Sequence, residues 1–313
     1  MGSVNLTDNG KKKFEQLYCS AVLAEETQEW FVYISATNIF LSITAFTWNF
    51  LTLVALRKES SLHPPSKLLL RCLCISDLGV GLLAEPLHVA YVLALTNRRW
   101  DVCPYVLFSS TMVSYTLSGV TLLTMTAISV DRLLALLLGL QYKTVVTIKR
   151  TRVFVLAFWI MSGISATTYL VNYFLSLLYA TVAISLCALT SIFSYAKIFS
   201  TLRNHQRQIC PQQVNQTCRR LDKARHRKRA LAALWLQFAL VLCYLPFGAV
   251  SFVGAKTSAQ EKVSSSFFLA RVITITLVYL NSSLNPVLYF WKMKSVRQAV
   301  KKTIENILRL FRN

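Results

Sequence analysis

The chain has 313 residues, of which 54% are hydrophobic and only 15% charged, and its formal charge is +21. Such a composition leaves too little polar surface for a soluble protein of this size, so lipid is the expected solvent for most of the chain. The positive charge does not point to nucleic acid, because the lysines and arginines lie between long apolar runs instead of forming an aromatic-interleaved stripe.

Residues 1–29 hold Lys11, Lys12 and Lys13 and several glutamates without an apolar core, so no signal peptide is read there. The first span is then expected to act as its own insertion signal. About 20 apolar residues cross roughly 30 Å of hydrocarbon, and the uncharged run from Trp30 to Leu56 satisfies this. A second span covers Leu68 to Thr96; Asp77, Glu85 and His88 interrupt it and are expected to face a bundle interior. The third runs uncharged from Val102 to Val130. From Val153 to Ala196 no residue is charged, which is too long for one crossing and suits two helices joined by a minimal turn near Asn172 and Tyr173. A sixth helix is expected over Ala230 to Val253 and a seventh over Phe268 to Tyr289. Beyond it, Val296, Val300, Ile304, Ile307, Leu308 and Phe311 recur at helical spacing among basic residues, as in an amphipathic helix lying on a membrane face.

The expected organisation is therefore a tail over 1–29, a seven-helix domain over 30–290, and an amphipathic helix and tail over 291–313. The fold class is an all-α membrane protein, a seven-transmembrane helix bundle with a short amphipathic eighth helix. Most of the 34 lysines and arginines fall on the side that carries the C-terminus, so the N-terminus is expected outside the cell and the C-terminus in the cytoplasm. Of the sequons at Asn5, Asn215 and Asn281, only Asn5 is then available for glycosylation. Only Cys19 and Cys103 reach the oxidising side; either they pair with each other or they are two free thiols.

Several short motifs occur in register. Asn49 lies in the first span, and LCISDLGVG places Asp77 in the second. Trp100 follows it. The third span ends in SVDRL, with Asp131 and Arg132, and Trp159 lies in the fourth. SYAKIF surrounds Tyr195, CYLPF runs from Cys243 to Phe247, and NSSLNPVLY runs from Asn281 to Tyr289. With these motifs, residues 30–310 resemble the rhodopsin-like G-protein-coupled receptors. The resemblance implies that Arg132, paired with Asp131, is a transduction switch. It assigns Tyr195, Asn285, Pro286 and Tyr289 to the same machinery.

A carboxylate at the bilayer centre costs on the order of 3 kcal/mol on insertion scales, so Asp77 needs polar partners. Asn49, Thr121, Asn281, Ser282 and Asn285 are the candidates. In the family this cluster holds a sodium ion, for which oxygen ligands are suited; a hydrogen-bonded knot without an ion is the alternative. No other cofactor is expected. Where many relatives carry an acid that pairs with the switch arginine, this chain has His226, so its resting state is expected to be loose and ligand-independent activity noticeable.

The chain departs from the family pattern in several places. Leu107 stands where most relatives have a helix 3 cysteine. Cys187 replaces a helix 5 proline, Tyr244 replaces a helix 6 tryptophan, and Leu133 replaces the tyrosine after Arg132. In these respects the chain looks most like the branch of melanocortin, adenosine, cannabinoid and lysophospholipid receptors.

The expected ligand pocket is lined by Ser114, Tyr115 and Ser118 of the third span, Tyr179 of the fifth, Tyr244, Phe247 and Ser251 of the sixth, and Ile275 and Tyr279 of the seventh. Glu85, His88 and Arg271 lie nearby; they either read a polar or zwitterionic ligand or pair with one another. Ser114 where amine receptors need an aspartate argues against a biogenic amine, and Tyr279 where opsins need a lysine argues against retinal.

The expected function is a plasma-membrane receptor that binds a small, lipid-like or peptide ligand from outside the cell and activates a heterotrimeric G protein. Membrane lipids are further partners, and nucleic acid is not. No enzymatic constellation is present, neither facing catalytic carboxylates nor H-E-x-x-H. A non-signalling decoy receptor is the nearest rival, and a transporter is less well supported because no internal repeats are visible.

Overall fold

In a computed structural model of the chain, residues 18–58, 62–171, 173–208, 239–254 and 264–292 are described, together with 297, 298, 300, 301 and 305. Every regular element among them is helical. The main helices are α1 (Ala21–Lys58), α2 (Pro64–Thr96), α3 (Cys103–Leu138), α4 (Ile148–Val171), α5 (Tyr173–Gln208), α6 (Ala239–Gly254) and α7 (Ser265–Lys292). Five of these are long and apolar enough to cross a membrane, and α5 and α6 each contribute a shorter apolar stretch. α4 ends at Val171 and α5 begins at Tyr173, and of the turn expected near Asn172 and Tyr173 residue 172 lies outside the described residues.

Polarity in this bundle is inverted relative to a soluble protein. Asp77, Glu85, Thr121, Thr124 and Asn281 are completely buried, while Phe154, Leu156, Ile164, Leu186, Leu189 and Phe193 are exposed on α4 and α5. Such an outer face is stable only in hydrocarbon, where only closed backbone hydrogen bonding spans the bilayer. The chain is a multi-pass membrane protein.

The helices follow one another around α3. α3 packs on α2, α4 and α5, and α7 closes the ring against α1. On the inner side of α6, Leu240, Cys243 and Tyr244 join Leu122, Met125, Ile184 and Val278 in one core cluster. The end of the bundle that carries Cys19 and Cys103 is called the disulfide end below, and the end that carries Asp131 the basic end.

Hydropathy marks hydrocarbon thickness, whereas helices run on into water wherever packing supports them. α1 begins at Ala21, ahead of the apolar run at Trp30. Leu23, Thr27, Phe31 and Ile34 are buried at helical spacing, and Glu25 and Glu29 are exposed, so the charged stretch assigned to a tail is an amphipathic extension of the helix. Glu25 pairs with Arg98 at 2.8 Å, and Glu26 accepts a hydrogen bond from Ser265 at the start of α7.

α2 contains a feature absent from the sequence reading. It starts on Pro64 and Pro65, where the missing N–H groups cost nothing, and is interrupted by a π-helical turn over Val80–Ala84. Pro86 follows that turn. Its ring would strike the carbonyl of Leu82 in a regular helix, and widening the turn relieves the clash. At the same level Gly81 lies against α1; a Cβ there would come within 2.8 Å of the Phe46 nitrogen and 2.9 Å of the Ser42 carbonyl oxygen. The Ser42 hydroxyl uses this approach to donate to the Gly81 carbonyl at 2.6 Å.

Of the expected eighth helix, Arg297, Gln298, Val300, Lys301 and Glu305 are described and helical. Val300 is 1% exposed and belongs to the cluster that contains Ala55, Leu56 and Leu69, so at this residue the apolar face packs on the bundle itself. Val296, Ile304, Ile307, Leu308 and Phe311 lie outside the described residues.

Cys19 and Cys103 are joined by a disulfide across 84 residues of chain, with their Cα atoms 6.1 Å apart. Closing a loop of this length removes chain entropy equivalent to about 4 to 5 kcal/mol as an upper bound. Either Cys19→Ser or Cys103→Ser should therefore lower the thermal midpoint of the purified protein by several degrees, and the double variant should lower it no further, because all three break the same bond. Additive losses would show that the two residues contribute separately.

Candidate functional site

Functional side chains fall on three levels along the bundle axis. Nearest the disulfide end is a cavity of about 130 Å³ between α2, α3, α4, α5, α6 and α7. Ten of the expected residues line it: His88, Ser114, Tyr115, Ser118, Tyr179, Tyr244, Phe247, Arg271, Ile275 and Tyr279. Their spacing places them on inward faces, and short contacts hold several of them. Ser114 and Tyr279 share a hydrogen bond of 2.6 Å, Tyr244 donates to the Ser118 carbonyl at 3.2 Å, and Tyr115 meets Phe247 edge to face at 6.5 Å.

Two expected residues do not line the cavity. Glu85, three residues before His88 on α2, is completely buried and absent from the lining, whereas His88 and Tyr279, with their rings 5.7 Å apart, both line it. Ser251 is 1% exposed and is also absent from the lining; one turn past Phe247, it is enclosed by protein instead. Conversely, Tyr18, Tyr91 and Phe268 line the cavity unforeseen. Tyr18 belongs to the stretch read as a free tail, and its only signal was the neighbouring cysteine. The disulfide holds it in the bundle, where Tyr91 donates to its carbonyl at 2.9 Å, Phe268 lies 6.2 Å away, and the Arg271 guanidinium sits 5.2 Å from its ring centre.

The middle level is built on Asp77. Thr121 and Ser282 each donate to one carboxylate oxygen at 2.9 Å, and Asn285 donates to the other at 2.8 Å, so one side chain joins α2, α3 and α7. Ser76 shares a further bond with Thr121 at 2.9 Å. Asn49 acts at one remove. Pro286 has no N–H for the carbonyl of Ser282, and the Asn49 amide donates to that carbonyl at 3.0 Å. Asn281, expected among the partners of Asp77, is completely buried but makes no bond to it. It sits one residue before Ser282, and that step turns it about 100° away on the helix.

The side-chain oxygens of Asn49, Asn281 and Asn285 are buried without hydrogen-bond partners. Of these, only the Asn285 oxygen belongs to a side chain bonded to Asp77, and together with the Thr121 and Ser282 hydroxyls it gives the carboxylate the oxygen-only donor set that suits a hard cation such as sodium. Asp77, Thr121, Ser282 and Asn285 would hold it, and its charge would offset the carboxylate in the low-dielectric interior.

At the basic end Asp131 is 4% exposed and enclosed. It accepts hydrogen bonds from Ser66 of α2 at 2.8 Å and from Tyr142 at 2.6 Å, and Arg132 approaches it at 3.6 Å. Tyr142 opens the short helix Tyr142–Val145 between α3 and α4, and its ring lies 5.1 Å from that of His63, tilted by 50°. Neither Ser66 nor Tyr142 stood out in the sequence, since a lone serine and tyrosine near a loop carry no pattern. The two hydroxyl bonds are shorter than the ion pair, so Asp131 is anchored chiefly by neutral donors and Arg132 is left one-third exposed. Tyr195 and Tyr289 belong to α5 and α7, but their side chains lie outside the described residues, as do His226, Asn5 and Asn215. Asn281, the third sequon, is enclosed by protein.

Burial, and then the Asp131 carboxylate that accepts its proton, push the Tyr142 phenol up to about 12 from an ordinary 10. A raised value means that the bond stabilises the fold fully below pH 10 and is lost as pH approaches 12. Tyr142→Phe should thus destabilise the purified protein by about 1 to 2 kcal/mol at neutral pH, because it removes a donor from a buried acceptor. The deficit should shrink above pH 10. A deficit that is constant between pH 7 and 11 would assign the loss to packing instead.

The family model described as 7 transmembrane receptor (rhodopsin family) matches residues 48–174 and 166–289. These matches include all three levels, from the cavity through Asp77 to Asp131 and Arg132. The chain belongs to the rhodopsin family of seven-transmembrane receptors.

Proposed function

We propose that this receptor binds an extracellular ligand in the cavity at the disulfide end and activates a heterotrimeric G protein at the basic end. It stands in the plasma membrane with its N-terminus outside and its C-terminus in the cytoplasm. The positive-inside distribution of Lys and Arg supports this orientation, as does a disulfide at the opposite end, which requires an oxidising compartment. Leu107 and Cys187, where most relatives carry cysteine and proline, support a place near the melanocortin, adenosine, cannabinoid and lysophospholipid branch.

The observation that carries the proposal is the Asp77 network. It lies between the cavity and the Asp131 cage and ties α2, α3 and α7 through one carboxylate, so movement of any of the three changes bonds to the other two. A ligand shifts such an equilibrium only by contacting the two states differently. α3 and α7 supply that difference, because both line the cavity and both hold Asp77. Arg132 is the switch: held loosely by Asp131 at rest, it is free to engage the G protein when α3 and its neighbours shift. Tyr195, Pro286 and Tyr289 serve the same step.

Two outcomes are expected. Arg132→Ala should reach the cell surface at near wild-type levels, since a one-third exposed side chain contributes little packing, and should abolish G-protein activation. A surface-expressed variant that still drives nucleotide exchange at the wild-type rate would overturn the switch; a wild-type chain that binds ligand without driving exchange would be a decoy. For the ion, ligand-independent exchange by the wild type should fall as sodium chloride replaces choline chloride, and Asp77→Asn should not respond. Equal, flat responses would leave a hydrogen-bonded knot with no ion.

A further inference from the structure

We infer that the basic end of α4 carries a binding site for an anionic glycerophospholipid, with Lys149 and Arg152 as its headgroup partners and Val153, Leu156 and Ile160 as the wall along which its acyl chain lies. The site is distinct from the ligand cavity, and its assignment to the inner leaflet rests on the orientation proposed above. α4 turns one face to the bundle: Thr151 and Ser162 are buried, and Val155 and Phe158 pack against the core cluster. At about 3.6 residues per turn, residues 149, 152, 153, 156 and 160 then fall on the opposite side. All five are exposed, Val153 at 68%, Leu156 at 62% and Ile160 at 54%. Charge thus gives way to hydrocarbon-facing side chains along one continuous line.

Depth along α4 sets the level of the two cations. From Val153 to Val171 the helix is free of charge and rises about 28 Å, close to the roughly 30 Å of bilayer hydrocarbon. Arg152 therefore stands at the edge of the apolar layer and Lys149 about one turn further out. Both are at the height of the lipid phosphates, which long basic side chains reach by laying their stems along apolar surface. Three residues apart, the two side chains are neighbours on the helix surface and can share one headgroup.

The protein supplies neither cation with a counter-ion among the described residues, where the ion pairs are Arg98–Glu25, Arg99–Asp101, Arg132–Asp131 and Lys301–Glu305. Arg150 between them is engaged elsewhere, since it donates to the Val145 carbonyl at 2.9 Å. Asp131, the nearest acid in sequence, is enclosed by Ser66 and Tyr142. A guanidinium meets a phosphate through two parallel hydrogen bonds, and the ammonium beside it adds a second positive charge. A headgroup of net negative charge satisfies both, whereas the choline of a zwitterionic headgroup would bring a third cation to the same place. Anionic lipids are also concentrated in the cytoplasmic leaflet, on the side to which the orientation assigns this end of α4.

The test offers the full purified chain equal amounts of phosphatidylserine and phosphatidylcholine with identical acyl chains, and reads retained lipid by native mass spectrometry. Each cation near an anionic lipid surface is worth about fivefold in affinity, so the wild type should retain phosphatidylserine at least about fivefold over phosphatidylcholine. Lys149→Gln combined with Arg152→Gln should abolish the preference, and Arg152→Lys, which keeps the charge but not the fork, should weaken it. Arg57→Gln, which removes an exposed charge from α1 at the same end of the bundle, should leave it unchanged. Because both side chains are exposed, the double variant should keep the wild-type thermal midpoint in phosphatidylcholine nanodiscs and lose the rise that phosphatidylserine gives the wild type. Glycerophosphoserine, the headgroup without chains, should not displace the lipid at the same concentration. No preference in the wild type, a preference that survives in the double variant or falls equally in Arg57→Gln, or displacement by glycerophosphoserine would each overturn the assignment, the last in favour of a free anion. A double variant that keeps the lipid preference and loses nucleotide exchange would assign the two cations to the G protein instead. Lipid retention involves neither cavity ligand nor G protein, so its failure would leave the receptor proposal standing.

Discussion

Hydrocarbon cannot hydrogen-bond a carboxylate, so every polar group carried into the membrane must find its partners inside the bundle. Asp77 brings this constraint into the middle of the molecule, and much of the interior is arranged around it. It takes donors from α3 and α7. The same logic explains Asn49, whose amide occupies the Ser282 carbonyl that Pro286 cannot reach. Removal of one backbone donor by a proline is thus answered by a side chain on α1, and the chain of contacts from α1 to α3 runs through residues 282 and 77.

The basic end solves the same problem differently. Asp131 sits where the bundle meets water, and it is satisfied by hydroxyls from α2 and from the short helix after α3 while Arg132 remains at 3.6 Å. Neutral donors fix the acid without consuming the arginine. An ion pair at that distance with one partner partly in solvent is a weak restraint, worth well under about 1 kcal/mol. A guanidinium held so loosely is easily recruited by another partner, which is what a switch residue requires.

The apolar runs made the seven spans legible, and the charge-free stretch from Val153 to Ala196 correctly implied two helices, one ending at Val171 and the next beginning at Tyr173. Helix ends were less legible. Amphipathic packing carries α1 back to Ala21, and hydropathy is blind to this. The π turn at Val80–Ala84 depends on a clash between the Pro86 ring and a carbonyl, which no hydrophobic pattern records. Within the site, spacing on helix faces placed all but two of the expected residues on the cavity wall, because inward faces of a bundle follow from periodicity. It failed for Glu85 and Ser251, where depth along the axis matters more than face. Tyr18 and Tyr142 were invisible because they enter from segments outside the seven main helices, whose placement follows from long-range contacts alone, and Ser66 because a lone serine in the first turn of α2 carries no pattern.

The two polar centres and the cavity are the basis of the proposed function, in which a ligand bound between α3 and α7 would act on the Asp77 bonds that those helices share and the effect would reach Asp131 and Arg132 along α3. The most direct measurement is nucleotide exchange on purified heterotrimeric G proteins, with the wild-type chain in lipid nanodiscs compared against empty nanodiscs. The account predicts faster exchange on at least one G-protein class in the presence of the chain. A folded chain with its Cys19–Cys103 bond intact that leaves exchange on every class at the empty-nanodisc rate, with cavity ligand present or absent, would contradict it.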